Sequence, residues 1–279
     1  MSSVGGAALF AAVGRLAPQA ASVEGFAIDQ SSGALAILEE IHHTLSLPAT
    51  DMKLETRPGE LTHFLKWPAG SFDLLLASFS LNEALQNEPW PRWMAWIRQA
   101  LARLRPGGLL LILEPALDEA SERFRRLRDA LAADTSVQLW GPCLHAAQCP
   151  LAETKRYCHE VRRWQAPDSW KQINGQLYHD AQSLKYQFLA VSNQRPASQE
   201  PETVRLISPL AEKKGLFLTT VCTSQGLLEH VEIPTRGLTK ASWAELRELE
   251  RGDWLRLRAC ARVGNRLRVA YGDLDVVFS

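Results

Sequence analysis

The sequence predicts an α/β fold: a doubly wound parallel sheet with an inserted cysteine-rich region and a small β element at the end. Three observations point there. Continuous apolar runs alternate with helical patterns through residues 1–135, as parallel strands covered by helices require. Three of the five cysteines, with several Trp and Tyr, then fall in 136–200, where regular patterning is weak. Strand patterning returns in 201–279, which supplies the completing strands and the last β element.

Val23–Ile28 is a short apolar run ending at Asp29, and Ser31 or Ser32 can cap the helix that follows, with Leu35, Leu38 and Ile41 on its apolar stripe. Met52–Glu55 reads as a short strand and Phe72–Phe79 as a buried one. Trp90–Arg105 is helical in spacing, with Trp93, Ile97, Ala100, Leu101 and Leu104 on one stripe; Arg105-Pro106-Gly107-Gly108 breaks it before the strand Leu109–Leu113. Asp118–Ala132 is an Arg-rich helix. Thr203–Ser208, Leu216–Cys222 and Leu227–Ile233 are strands, with a hairpin turn at Ser224-Gln225-Gly226. A helix at Ser242–Glu250 leads to Trp254–Phe278, where Arg alternates with apolar residues.

Of the 279 residues, 46% are hydrophobic and 22% charged, enough apolar material for a real core. The formal net charge is zero but uneven. Residues 1–120 hold 8 Lys+Arg against 13 Asp+Glu, and residues 121–279 hold 23 against 18, so a polyanion would meet the second part. No run is long enough for a bilayer span, and no basic segment precedes the apolar stretch Ala7–Val13, so a cytoplasmic protein without a signal peptide is expected. In a reducing compartment the cysteines are free thiols or metal ligands.

The first part resembles S-adenosylmethionine-dependent methyltransferases. In that class a Gly-rich turn follows the first strand and an acid at the end of the second grips the ribose. Gly5-Gly6 matches the turn and Asp29 the acid. Asp73–Glu83 resembles the fourth strand and its loop, and Leu104–Gly108 followed by Glu114-Pro115 resembles the fifth. The cofactor-binding candidates are Gly5, Gly6, Asp29, Ser78 and Asn82. The strand that would precede Gly5 does not occur in the sequence, so a truncated start or a degraded cofactor site is expected, with weak or no S-adenosylmethionine binding. Asn82 and Glu83 lie closest to the expected reaction site and form no recognised catalytic motif, so no catalytic residue is assigned.

The most distinctive segment is Gly141-Pro142-Cys143-Leu144-His145-Ala146-Ala147-Gln148-Cys149-Pro150-Leu151, followed by Tyr157-Cys158-His159, Arg162-Arg163 and, after a strand, Val221-Cys222-Thr223. With the order of the earlier segments, these residues resemble the methyltransferase-like family associated with the small ribosomal subunit, which includes mitochondrial small-subunit assembly factors and bacterial relatives. The resemblance runs from Gly5 to Asp253. It implies a 4Fe–4S cluster on Cys143, Cys149, Cys158 and Cys222, four thiolates being what such a cluster takes. Zinc is the rival, since four thiolates also suit it, although close Cys pairs are absent here. His145 and His159 are read as donors to backbone or sulfur beside the ligands, and Cys260 as packing. The chain departs from the family at Glu160, where an aromatic residue is usual, and along Gln182–Leu189.

Arg162, Arg163, Lys171 and Lys185, interleaved with Trp164, Trp170 and Tyr186, are RNA-binding candidates, because RNA is gripped by cations on phosphate and rings on bases. Arg256, Arg258, Arg266 and Arg268, at period two, fit either an RNA-facing strand or an ordinary solvated face. The function expected is that of a small-subunit assembly or translation factor, monomeric when free and binding rRNA. The alternatives are an active S-adenosylmethionine-dependent rRNA methyltransferase and a small-molecule methyltransferase.

Overall fold

The computed structural model describes residues 6–16, 22–44, 51–63, 67, 72–154, 156–176, 182–195 and 202–278. The chain divides into two compact units. Unit 1 is Met1–Glu114 with Ala190–Asn193, and unit 2 is Pro115–Leu189 with Gln194–Ser279. Among the described residues no helix is long and apolar enough to cross a membrane, which says nothing of strands that might do so as a barrel.

Unit 1 runs α1 (Gly6–Leu16), β1 (Ser22–Asp29), α2 (Ser32–Thr44), β2 (Asp51–Pro58), β3 (Phe72–Ser78), α3 (Leu81–Leu85), α4 (Trp90–Leu101) and β4 (Leu104–Pro115). β1 and β2 pair in parallel, with Asp29 opposite Pro58. β3 and β4 form a second parallel pair, with Leu75 opposite Leu110. The two pairs belong to different sheets. Phe10, Val13, Leu38 and Met52 form a small core under the first pair. The helix expected to reach Arg105 stops at Leu101. Leu104–Gly108 then opens β4, because Gly107 at φ 80° lets the chain swing into the strand, and a Cβ on Gly108 would meet the Phe72 carbonyl. α4 buries Trp93, Trp96, Ile97, Ala100 and Leu101, the stripe its spacing predicts, while Leu104 packs from the strand.

Unit 2 runs α5 (Asp118–Ala133), β5 (Gln138–Gly141), β6 (Glu160–Arg163), α6 (Asp168–Gln176), β7 (Ser183–Ser192, its last residues in unit 1), β8 (Thr203–Leu206), β9 (Ala211–Lys213), β10 (Leu216–Thr223), β11 (Leu228–Pro234), α7 (Lys240–Glu248), β12 (Trp254–Leu257), β13 (Ala261–Val263), β14 (Arg266–Arg268) and β15 (Leu274–Phe278). Seven strands lie in the order β13-β14-β11-β10-β8-β12-β15, with β9 added on β10. The last strands are therefore not a separate element: β12 pairs with β8 and β14 runs parallel to β11, so both extend the main sheet. Its core is apolar and continuous, from Val204 and Leu206 through Phe217, Val221, Val231 and Ile233 to Leu255 and Leu257. α7, capped where the Thr239 hydroxyl accepts the Ser242 N–H at 3.1 Å, closes it with Leu246, and Trp243 stands edge-on to Phe217.

Candidate metal centre

Four segments of unit 2 bring the cysteines to one region. β5 ends at Gly141, and a cis Gly141–Pro142 peptide turns the chain into the loop that carries Cys143, His145 and Cys149. α5 lies beneath that loop. Its buried stripe is Ala120, Phe124, Leu127, Arg128 and Leu131, and Asp129 on the next position accepts the Cys149 N–H at 2.9 Å. Cys158 sits two residues before β6, its carbonyl accepting from Gln187 Nε2 at 2.6 Å. Cys222 is on β10, directly opposite Arg205 of β8. The following hairpin turns at Gly226, whose φ of 79° only glycine adopts freely and whose missing Cβ leaves room for the His145 ring.

The thiols respond to one another. Burial first, then the charges of Cys143, Cys158 and Cys149, raises the Cys222 thiol to about 12. Burial raises Cys149 to about 11, aided by repulsion from Cys143 and Cys158. Burial also pushes Cys158 up, and Cys143 adds to it. Every one of the six thiol pairs is thus close enough to interact electrostatically. Cys143, Cys149, Cys158 and Cys222 are all half-buried, whereas Cys260 is exposed in the turn before β13. The packing role expected for Cys260 does not hold, because it lies exposed in the connection between β12 and β13 and not within a strand. Among the described residues no group of three or more His, Cys, Asp or Glu side chains is arranged to hold a metal ion.

Donors surround the sulfurs. His145 Nε2 lies 3.4 Å from Cys222 Sγ. Burial and the Arg128 charge lower the His145 pKa to about 4, so the ring is neutral near pH 7. Arg205 donates to Cys158 Sγ and pairs with Glu160, and both side chains are almost wholly buried. Arg162 Nη2 joins Glu160 at 3.1 Å and Asp253 at 3.2 Å. Burial, then Arg251, lowers His159 to about 4, and its ring packs on Tyr157 at 5.1 Å. Around the sulfurs the described residues thus place a neutral imidazole at Cys222 and a buried guanidinium at Cys158.

A family model described as mitochondrial small ribosomal subunit Rsm22 matches residues 1–256. The chain belongs to the Rsm22 family. No curated protein matches it by sequence. Among solved structures, this Rsm22-family chain is similar to an rRNA methylase from Streptococcus thermophilus at 12% identity, covering 60% of this chain and 71% of that one, TM-score 0.29. It is similar to the N-methyltransferase NodS from Bradyrhizobium japonicum at 16% identity, covering 66% and 80%, TM-score 0.32. A S-adenosylmethionine-dependent methyltransferase from Methanosarcina mazei stands at 18% identity, covering 61% and 80%, TM-score 0.30.

The other expected residues fall in several places. In unit 1, Asp29 is half-buried at the end of β1, and its carboxylate accepts the Ser31 N–H at 2.8 Å, while Ser31 Oγ accepts the Ala34 N–H at the start of α2. Gly6 opens α1, and Gly5 lies outside the described residues. Ser78 ends β3, next to Phe79 at φ 52°, an uncommon left-handed conformation for a bulky side chain. The Asn82 N–H donates to Glu114 Oε1 at 2.9 Å. Burial raises the Glu114 carboxyl to about 7 against the hydrogen bonds from Asn82 and Leu81.

In unit 2, Arg162 is committed to Glu160 and Asp253, and Arg163 to Glu248 at 2.5 Å and Glu250 at 3.3 Å. Lys171 is exposed and pairs with Asp168 at 2.9 Å, and Lys185 is exposed on β7. Arg258 pairs with Asp275, while Arg266 and Arg268 pair with Glu232; they lie on separate segments of the sheet and not along one strand face. The residues that sequence reasoning missed are Arg128, Arg205, Glu160 and Asp253. The signal for Arg205 was available: a cation inside Val204-Arg205-Leu206-Ile207, an apolar run that a central strand buries.

Proposed function

We propose that this Rsm22-family chain is an assembly or translation factor of the small ribosomal subunit that binds rRNA, with Cys143, Cys149, Cys158 and Cys222 holding a 4Fe–4S cluster. The observation that supports the reading is that three separated segments carry half-buried cysteines, with His145 Nε2 3.4 Å from Cys222 Sγ and Arg205 donating to Cys158 Sγ. When bound, such a group supplies a covalent cross-link among those segments and a redox centre. The chain's own residues do the rest. Asp129 holds the Cys149 backbone, His145 and Arg205 stand against sulfur, and the thiols, high in pKa while unliganded, give up protons on binding metal. A single zinc remains the rival occupant, and it would draw the sulfurs to within about 4 Å of one another.

For RNA, Lys171, Lys185 and Arg163 are the exposed candidates, Arg163 being paired with Glu248 and Glu250, while Arg162 acts mainly to brace Glu160 and Asp253. A cytoplasmic location belongs to the same reading. S-adenosylmethionine binding through Gly5, Gly6, Asp29, Ser78 and Asn82 is weak in this account, because the Asp29 carboxylate already serves the start of α2. Anaerobic purification with iron and sulfide assay, and sequencing of copurified RNA, test the proposal. Brown protein carrying small-subunit rRNA supports it. Protein free of iron and of RNA, with micromolar affinity for S-adenosylmethionine, would favour the active methyltransferase.

A further inference from the structure

The strands of unit 2 after residue 202 do more than lie side by side. In the order β13-β14-β11-β10-β8-β12, the first and last strands are five spacings apart, about 24 Å if the sheet were flat. Yet β12 ends at Leu257 and β13 starts at Ala261, a reach of at most about 14 Å. The sheet must therefore curl until its ends meet. β12 and β13 are two halves of one bent strand, and so are β8 and β9, which pair with opposite ends of β10. The result is a five-stranded barrel that runs β8–β9, β10, β11, α7, β12–β13, β14, with β15 added outside on β12. Neighbours are antiparallel except the third and fifth strands, β11 and β14, which are parallel. This is the five-stranded Greek-key barrel of the OB type, whose face on the second and third strands takes oligonucleotides. Phe217, Val231, Ile233 and Leu255 fill it, and Leu246 of α7 packs with them.

Fold alone assigns no ligand, so the side chains decide. Register places Thr220, His230 and Arg266 in one row across β10, β11 and β14, and Leu218, Glu232 and Arg268 in the next. The row between them, Thr219 and Val231, is buried, so these two rows face outward. Arg266 and Arg268 are 43% and 50% exposed and share one carboxylate, Glu232, at 3.5 and 2.6 Å. One positive charge is left over. The exposed His230 ring lies beside them, its Nδ1 3.1 Å from Thr220 Oγ1. At the β10 start of this face, Lys213 and Lys214 precede Gly215, whose carbonyl accepts the Thr235 N–H at 3.0 Å. That bond brings Arg236, and Lys240 at the start of α7, to the same end of the barrel. Glu212, next to Lys213, is taken by Arg247 at 2.8 Å. Among the described residues the exposed cations Lys213, Lys214, Arg236 and Lys240 form no ion pair. The surface is thus complementary to a polyanion.

We propose that this face of the barrel binds single-stranded RNA. Arg266 and Arg268, with Lys213, Lys214 and Arg236 at the barrel's end, hold phosphates, and the His230 ring stacks on a base. A face two strand spacings wide, roughly 10 Å, suits one extended strand, held by cations along its backbone and a ring against a base. The proposal rests on the rRNA-binding reading above and adds to it a surface other than that of Lys171 and Lys185.

The test is fluorescence anisotropy of the full chain with a labelled oligouridylate of about 12 nucleotides, within the roughly 4–16 that one such barrel covers. An RNA duplex of the same length is the comparison, and both are titrated over a range of salt. The triple variant Lys213→Gln, Lys214→Gln, Arg236→Gln changes only exposed side chains. It should weaken oligouridylate binding by about 10-fold or more and reduce the slope of log affinity against log salt by about 2, one phosphate contact being lost per cation. His230→Ala should weaken binding and leave that slope unchanged, since a stacked ring carries no counterion with it. If the wild-type chain binds RNA and the triple variant matches it, with the loss falling instead on Lys171→Gln with Lys185→Gln, the barrel proposal is wrong while the rRNA reading stands. Duplex bound as tightly as the single strand would overturn the choice of ligand. If the wild-type chain neither copurifies with small-subunit rRNA nor binds the oligouridylate, the rRNA reading fails, and the proposal with it.

Discussion

Among the described residues of unit 1 the buried side chains are almost all apolar, with Glu114 and Ser192 the polar members; in unit 2 Arg128, His145, Glu160, Arg205, Glu232 and Asp253 are buried alongside the apolar sheet core. The same chain therefore uses two kinds of interior. The first is held by dispersion and the hydrophobic effect, which depend little on pH or metal. The second is held partly by ion pairs that are strong only when complete, because a lone buried charge costs more than a missing pair. A unit built the second way stands to gain from a bound anion in a way the first cannot.

The largest difference between the units should follow removal of metal. Chelation of anaerobically purified protein, or Cys158→Ser, is expected to lower the stability of unit 2 by about 5 kcal/mol or more, since structural metal sites contribute on the order of 10 kcal/mol. Hydrogen exchange resolved along the chain checks this. Amides of β8 and β10 should lose protection while those of α4 keep theirs.

A single substitution in each unit sharpens the contrast. Glu160→Ala strands Arg205 and Arg162 without their carboxylate and should cost about 3–5 kcal/mol. Ile97→Ala removes a wholly buried apolar side chain from α4 and should cost about 3 kcal/mol. Denaturant melts with and without bound metal separate them: the Glu160 effect should change with metal occupancy and the Ile97 effect should not.

What the sequence disclosed follows the same division. The α/β order, the α4 stripe and the Ser224-Gln225-Gly226 turn were legible because apolar periodicity and turn chemistry are local. The small C-terminal element was not read correctly. Its alternating Arg residues pointed to one exposed strand face, but Glu232, Glu229 and Asp275, distant in sequence, pair with them across several strands. Strands β6 and β7 were hidden for a related reason: Glu160 is buried inside β6 by Arg205, 45 residues away. The cysteines were legible as residues, and Cys143, Cys149, Cys158 and Cys222 are half-buried while Cys260 is exposed. The buried Arg128 and Arg205 beside them were not, because no local pattern marks a buried arginine.

A smaller effect belongs to unit 1 and runs with pH. The Glu114 carboxyl is raised to about 7 from 4.5, so between those values the folded state keeps a proton that the unfolded chain has lost. Its contribution is therefore fully present below pH 4.5 and is lost as pH rises through 7, by up to about 3 kcal/mol. Glu114→Gln should flatten that part of the stability profile, while Glu83→Gln should leave most of it.

The central claim is that Cys143, Cys149, Cys158 and Cys222 share one metal group. The most direct test is iron, sulfide and zinc analysis of anaerobically purified wild type, of each of the four Cys→Ser variants, and of Cys260→Ser. The account predicts four iron and four sulfide per chain for wild type and Cys260→Ser. It predicts loss of both in every one of the four variants. One zinc per chain and no sulfide would contradict the cluster, and full iron content in Cys222→Ser would contradict the four-thiolate site itself.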